Sequence, residues 1–204
     1  MGEFPAVLKG YWVDLVKLNL IFVVLCLPVV TIPGTLCALC RGIYRMQQGE
    51  DVRVFRDFLR DLRRDGIRAL APGGVTILGL VGAVGGLWYC AGHLAAGGAA
   101  LPLLVALLLL LYASFSVGMY TIPMTAILEL PMEAIFKNGC ILALLRLKHN
   151  VLAFVLVLLL TGFVVLTSPF TFPLVLCTHV SLCALISMSC ARDGLARCAK
   201  GKRE

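Results

Sequence analysis

Charge is what this sequence has least of. Only 14% of its 204 residues are Asp, Glu, Lys or Arg, 60% are hydrophobic, and the mean hydropathy is +0.97. Soluble domains carry about a quarter charged residues, so a water-facing fold is excluded and the outer surface has to meet lipid. Acidic residues are scarcer than basic ones, 11 against 18, for a formal charge of +7. That balance would suit nucleic acid, but the cations are clumped in short blocks between apolar runs. This is the pattern of cytoplasmic membrane loops, and no nucleic-acid partner is expected.

Catalytic groupings are missing as well. The three histidines, His93, His149 and His179, are scattered, and no Ser/His/Asp set, paired catalytic carboxylates or phosphate-binding loop is present. No enzyme activity, catalytic residue or cofactor is therefore expected. Of the nine cysteines, Cys26, Cys37, Cys40, Cys90, Cys177, Cys183 and Cys190 fall in or beside apolar runs, where Cys acts as a small apolar residue. Cys37-Ala38-Leu39-Cys40 is formally a CxxC, but no second pair or histidine cluster lies at zinc-ligand spacing, so packing is expected and no metal. His179 lies inside an apolar run. It either marks a pathway through the membrane or is neutral and bonded to a carbonyl or a hydroxyl such as that of Thr178.

What the chain does have is uncharged length. A helix crossing hydrocarbon needs about 20 mainly apolar residues with every backbone polar group bonded internally. Leu18 to Cys40 is free of Asp, Glu, Lys and Arg for 23 residues, Ala69 to Leu128 for 60, and Val151 to Ala191 for 41. The second run is interrupted by a glycine-rich stretch from His93 to Ala100, and the third by Thr167 to Pro173, which holds two prolines; both suit turns. Leu103 to Leu111, with seven Leu and one Val, alone favours lipid by about 3 to 4 kcal/mol. The expectation is one all-α membrane domain over residues 1–204. It has about five transmembrane helices at 18–40, 69–92, 101–128, 151–167 and 174–191, plus cytoplasmic amphipathic helices, the main one within 41–68.

Orientation follows from the cations. Eight Arg lie between Arg41 and Arg68, three Lys or Arg between Glu129 and Asn150, and five from Arg192 onward, while the alternate loops carry none. The positive-inside rule puts these 16 of 18 on the cytoplasmic side of a bacterial plasma membrane, with the C-terminus. Five crossings would leave Lys9 and Lys17 outside. An alternative keeps them inside: a helix from near Phe4 breaks at Pro28 to Pro33 and returns through Leu36 to Met46 as a re-entrant hairpin. Met1 to Pro5 has no basic stretch ahead of the first apolar run, so that run is expected to be retained.

Asp51 to Arg68 is amphipathic. Val52, Phe55, Leu59 and Leu62 form an apolar stripe with Phe58 beside it, and Arg53, Arg56, Asp57, Arg60, Asp61, Arg63, Arg64 and Asp65 form the opposite face. Such a helix either lies at the headgroup boundary or docks a partner; the candidate docking residues are Phe55, Phe58, Arg56 and Asp57. Met132 to Lys148 is a second amphipathic element. In the span at 69–92, Gly79, Gly82 (or Ala83) and Gly86 recur at helical spacing and are expected to admit a neighbouring helix closely.

Leu18-Asn19-Leu20, Leu27-Pro28-Val29-Val30-Thr31-Ile32 and Phe55-Arg56-Asp57-Phe58 resemble the opening signature of the YesL-like family of bacterial membrane proteins, and Phe136-Lys137-Asn138-Gly139 resembles a later segment of it. The motif positions are Asn19, Pro28, Thr31, Pro33 and Gly34. Here Pro33-Gly34-Thr35 stands where the family has Gly-Pro-Ala. The resemblance implies a multi-pass protein linked with carbohydrate-uptake genes and with assistance to ABC-type sugar importers; it brings no catalytic residues. Two functions compete: an accessory subunit contacting an importer's permease or ATPase subunits, and a permease-like transporter. For the second, Glu133 followed by Gly139 echoes the loop with which importer permeases grip their ATPase.

Overall fold

The computed structural model describes residues 7, 9–50, 53–93, 100–128, 130–166 and 179–200. Seven helices account for it: α1 Trp12–Leu25, α2 Ile32–Gln47, α3 Val54–His93, α4 Ala100–Ile127, α5 Met132–Leu145, α6 Leu147–Leu166 and α7 Val180–Lys200. No strand occurs among the described residues. The expected turns within 94–99 and 167–173, and Thr178, lie outside them. This is an all-helical membrane protein. Three of its helical stretches, Val54–Gly92, Leu101–Ile127 and Leu147–Leu166, are long and apolar enough to cross a bilayer. The most apolar windows of the last two are only 11% buried within the protein, so their Leu and Val side chains have lipid as their solvent.

The first expected span is not one helix. Pro28 cannot continue α1, because it lacks an N–H and disfavours helical backbone at Leu27. Pro28 is extended (φ −77°, ψ 113°) and a single 3₁₀ turn, Val29–Thr31, leads into α2. The Thr31 hydroxyl donates to the carbonyl oxygens of Leu25 and, at 2.6 Å, Pro28, which satisfies backbone acceptors that the break exposes. Pro33 then falls in the first turn of α2, where its missing N–H costs nothing. With 14 residues, α1 is about 21 Å long, too short to cross about 30 Å of hydrocarbon. Leu18 meets Gly42 and Cys26 Sγ lies 3.2 Å from Thr35 Oγ1, so α1 and α2 form an antiparallel hairpin. Its reversal falls where the re-entrant alternative put it. Among the described residues the crossing-length helices therefore number three, against five expected; the last expected span contributes the shorter apolar stretch Val180–Ala191.

α2 ends in a Schellman motif. Gly49 takes φ +76°, its N–H donates to Met46 O at 3.2 Å, and Glu50 N–H donates to Arg45 O at 3.1 Å. α3 follows as one helix of 40 residues, about 60 Å. The amphipathic stretch is therefore not a separate surface helix. It is the first four turns of the same helix that carries the apolar stretch. Pro72 removes one backbone bond inside α3, and Thr76 Oγ1 donates to Pro72 O at 2.8 Å.

α3 packs chiefly on α4 and α2. A Cβ on Gly34 would come within 3.0 Å of Gly66 Cα, and one on Gly73 within 2.6 Å of Pro33 Cβ, so the motif residues Pro33 and Gly34 are seated directly on the backbone of α3. In the α3–α4 contact Gly79 faces Ser114 and Gly86 faces Leu107, with fully buried Ala83 between them. Gly82 has open space where its Cβ would be, so it lies off the seam that Ala83 completes.

Candidate functional site, a charged junction of three helices

α2 carries Arg41 and Arg45, one turn apart; α3 carries Asp57, Asp61 and Asp65, each one turn apart. In an antiparallel pair these ladders face each other. Arg45 Nη2 donates to Asp61 Oδ1 at 3.0 Å, a charge-assisted hydrogen bond, and Nη1 lies 2.8 Å from Oδ2 as an ion-pair contact. Arg41 Nη1 lies 2.7 Å from Asp65 Oδ2 and 3.6 Å from Asp61 Oδ1. The two carboxylates are 3% and 8% exposed. This quartet is neutral overall, and a buried carboxylate persists as an ion only when so paired.

The third helix enters through its backbone. Arg41 Nε donates to Ala126 O at 2.7 Å, and Arg41 Nη2 donates to the same oxygen. Ala126 is in the last turn of α4, whose final carbonyls have no partner within the helix. The guanidinium thus caps α4 and meets the negative end of its dipole. Arg68 Nη2 donates to Leu130 O just beyond, so arginines from α2 and α3 together clamp the α4–α5 connection. Beside the clamp is an open groove of about 440 Å³, lined in part by Arg41, Tyr44, Arg45, Glu50 and Arg64.

The apolar stripe expected on 51–68 is rotated. Val54 and Phe58 are buried with Asp61 and Asp65, Leu59 and Leu62 are half-buried, and Phe55 is 66% exposed. Val52 lies outside the described residues. Burying the paired carboxylates turns Phe55 outward, and Phe58, enclosed by the hairpin, is not available to a partner. Arg56 is exposed, whereas half-buried Asp57 accepts from Arg53 N–H at 3.0 Å and pairs with Arg60 at 3.0 Å. The other proposed docking pair is also split. Glu133 is exposed on α5, but Gly139 is buried against Thr121 of α4, where a side chain would not fit. The pair therefore does not form one docking surface.

Asn19 closes a different helix end. It is fully buried, and its Oδ1 accepts the backbone N–H of Ser181 at 3.1 Å and the Ser181 hydroxyl at 3.4 Å. A residue of α1 thus caps the start of α7. Tyr120 donates to Asn150 Oδ1 at 2.6 Å, and Asn150 Nδ2 donates to Ala143 O at 2.8 Å, tying α4, α5 and α6 together. His179 Nε2 lies 3.4 Å from Thr161 Oγ1 of α6 and 3.7 Å from Cys183 Sγ, so its contact is interhelical. Cys37 and Cys40 are buried, and among the described residues no three His, Cys, Asp or Glu are grouped to hold a metal.

The quartet was legible in principle. Two arginines and three aspartates repeating at four residues on neighbouring helices are complementary ladders. Read one helix at a time, Asp57 and Asp61 look merely repulsive.

A family model described as a protein of unknown function, DUF624, matches residues 15–90. The matched segment runs from within α1 to near the end of α3, and so holds Asn19, Pro33, Gly34 and all four members of the quartet. No curated protein and no solved structure shows a significant match to this chain.

Proposed function

We propose that this chain is a non-catalytic accessory subunit of a bacterial membrane complex, of the ABC-type carbohydrate-uptake class that the YesL-like resemblance implies, and that it engages its partner through the extension of α3. The observation that supports this is the position of Phe55. It stands on a helix that outruns the bilayer, two-thirds exposed, among exposed Arg53, Arg56, Arg60 and Arg63. The opposite face of the same helix is locked to α2, so the extension is held rigidly. An aromatic residue ringed by arginines on a rigid helix has the make-up of an interface anchor.

The hairpin fits a simple topology. If α1 and α2 dip in and return, Lys9 and Lys17 lie on the side of Arg41 to Arg68, and α3, α4, α6 and the expected span at 174–191 make four passes that leave all 18 cations and the C-terminus cytoplasmic. The permease-like reading has less support. A carrier arranges polar groups around a cavity, whereas Asn19, Thr76, Tyr120, Thr125 and Asn150 each bond within the chain, and only the buried hydroxyls of Tyr112, Ser116 and Thr121 lack such a bond among the described residues.

The test is affinity purification of the full chain from native membranes, with mass spectrometry of what is recovered. Wild type is expected to bring down importer permease and ATPase subunits, and Phe55→Ser to reduce that recovery several-fold. An importer recovered equally well with Phe55→Ser would overturn docking through this face, and no importer recovered with wild type would overturn the accessory role.

A further inference from the structure

We infer that the elbow between α5 and α6 is a binding site for an anionic phospholipid. At Arg146 the backbone leaves the helical region (φ −114°, ψ 36°), and the chain resumes helix at once, with His149 N–H and Asn150 N–H both donating to Arg146 O at 3.0 Å. The bend opens a cleft of about 690 Å³. Its walls include Leu144, Leu145 and Leu147, which are 72%, 76% and 49% exposed. Exposed Lys148 and His149 stand at its rim, the Arg146 side chain instead running inward toward Gly194 of α7, and no carboxylate lines the cleft among the described residues.

Position gives this composition its meaning. α6 begins at the elbow and is one of the three helices that can cross a bilayer, so the cleft sits where hydrocarbon gives way to headgroups. Exposed leucines beside the Lys148 ammonium match the two ends of a phospholipid, with acyl chain on the leucines and phosphate at the ammonium. The C-terminal end of α5 and the N-terminal end of α6 meet here with opposite dipole signs, which leaves the side-chain cations to set the local potential. A zwitterionic lipid would satisfy the leucines equally well but gain less at the rim. Selectivity should amount to roughly fivefold for each cation that meets the headgroup. The groove beside the α2–α3 quartet is a weaker candidate for an anion, because Arg41 and Arg45 are already held by Asp61 and Asp65 and Glu50 shares the lining.

Native mass spectrometry of the full chain, released from nanodiscs of equal parts phosphatidylglycerol and phosphatidylcholine, tests the assignment. Wild type should retain phosphatidylglycerol several-fold in excess. Lys148→Glu, at an exposed side chain, should lower that ratio about fivefold or more, and Leu144→Ser with Leu145→Ser should lower retention of both lipids. Lys137→Glu, an exposed cation on α5 outside the cleft, should leave the ratio unchanged. Equal retention of the two lipids by wild type, an unchanged ratio in Lys148→Glu, or an equal drop in Lys137→Glu would each overturn the site. Displacement of the lipid by inorganic phosphate would overturn it too, by making the free anion the occupant.

Discussion

The two halves of α3 turn opposite kinds of residue outward. From Val75 to Tyr89 the exposed side chains include Val75, Leu78, Val81, Val84, Trp88 and Tyr89, because the medium there is hydrocarbon and Leu or Val loses nothing by facing it. In 54–68 the helix buries Asp61 and Asp65 beside Val54 and Phe58, and exposes Phe55. Residue class explains the first half but not Phe55, Asp61 and Asp65 of the second. In the extension, two arginines on the neighbouring helix decide what is inside. A carboxylate paired with a guanidinium can be enclosed where a phenylalanine is turned out.

Breaking the quartet should have the largest effect. Arg41→Leu leaves Asp65 without its closest partner and Ala126 O without its cap, and is expected to cost about 3 to 5 kcal/mol; thermal unfolding in detergent would read this as a large drop in Tm. Arg41→Leu combined with Asp65→Leu should recover much of the loss, since enclosing two apolar groups avoids the stranded charge. A double variant as unstable as the sum of the two single ones would show that the pair is uncoupled.

The phenylalanines sharpen the same comparison. Phe58→Ala, which empties a site that is 2% exposed, should cost about 3 to 5 kcal/mol. Phe55→Ala, three residues earlier, should stay within about 0.5 kcal/mol of wild type. Similar melting temperatures for both variants would mean that the rotation of the stripe is wrong.

The smallest effects test the membrane half. Gly73→Ala drives a methyl into Pro33 and is expected to cost about 1 to 3 kcal/mol. Gly82→Ala meets open space and should gain up to about 1 kcal/mol, because alanine loses less freedom than glycine in a helix. The opposite signs of the two substitutions are the measurement, and a shared sign would contradict the packing seam.

Much of this arrangement was readable along the chain. The uncharged runs, the break at Pro28 to Pro33 and the glycine spacing of α3 all report local rules: how many residues span hydrocarbon, what proline forbids, which positions share a helix face. Asn19 and Gly34 could be singled out by resemblance, but not explained, because Ser181 is 162 positions from Asn19 and Gly66 belongs to the next helix. Phe58 and Gly139 looked like surface anchors because the helices that cover them are distant in sequence.

Composition and spacing alone made the chain helical and put it in lipid, since hydrophobic length acts within one span of the chain; the reversal at Pro28 to Pro33 was only the alternative to a single span at 18–40. Which carboxylates are enclosed, which phenylalanine is turned out and what caps α4 were decided only when α2, α3 and α4 came together. A buried charge is stable only beside its counterion, and the groups that satisfy Arg41 lie 24 residues away at Asp65 and 85 away at Ala126.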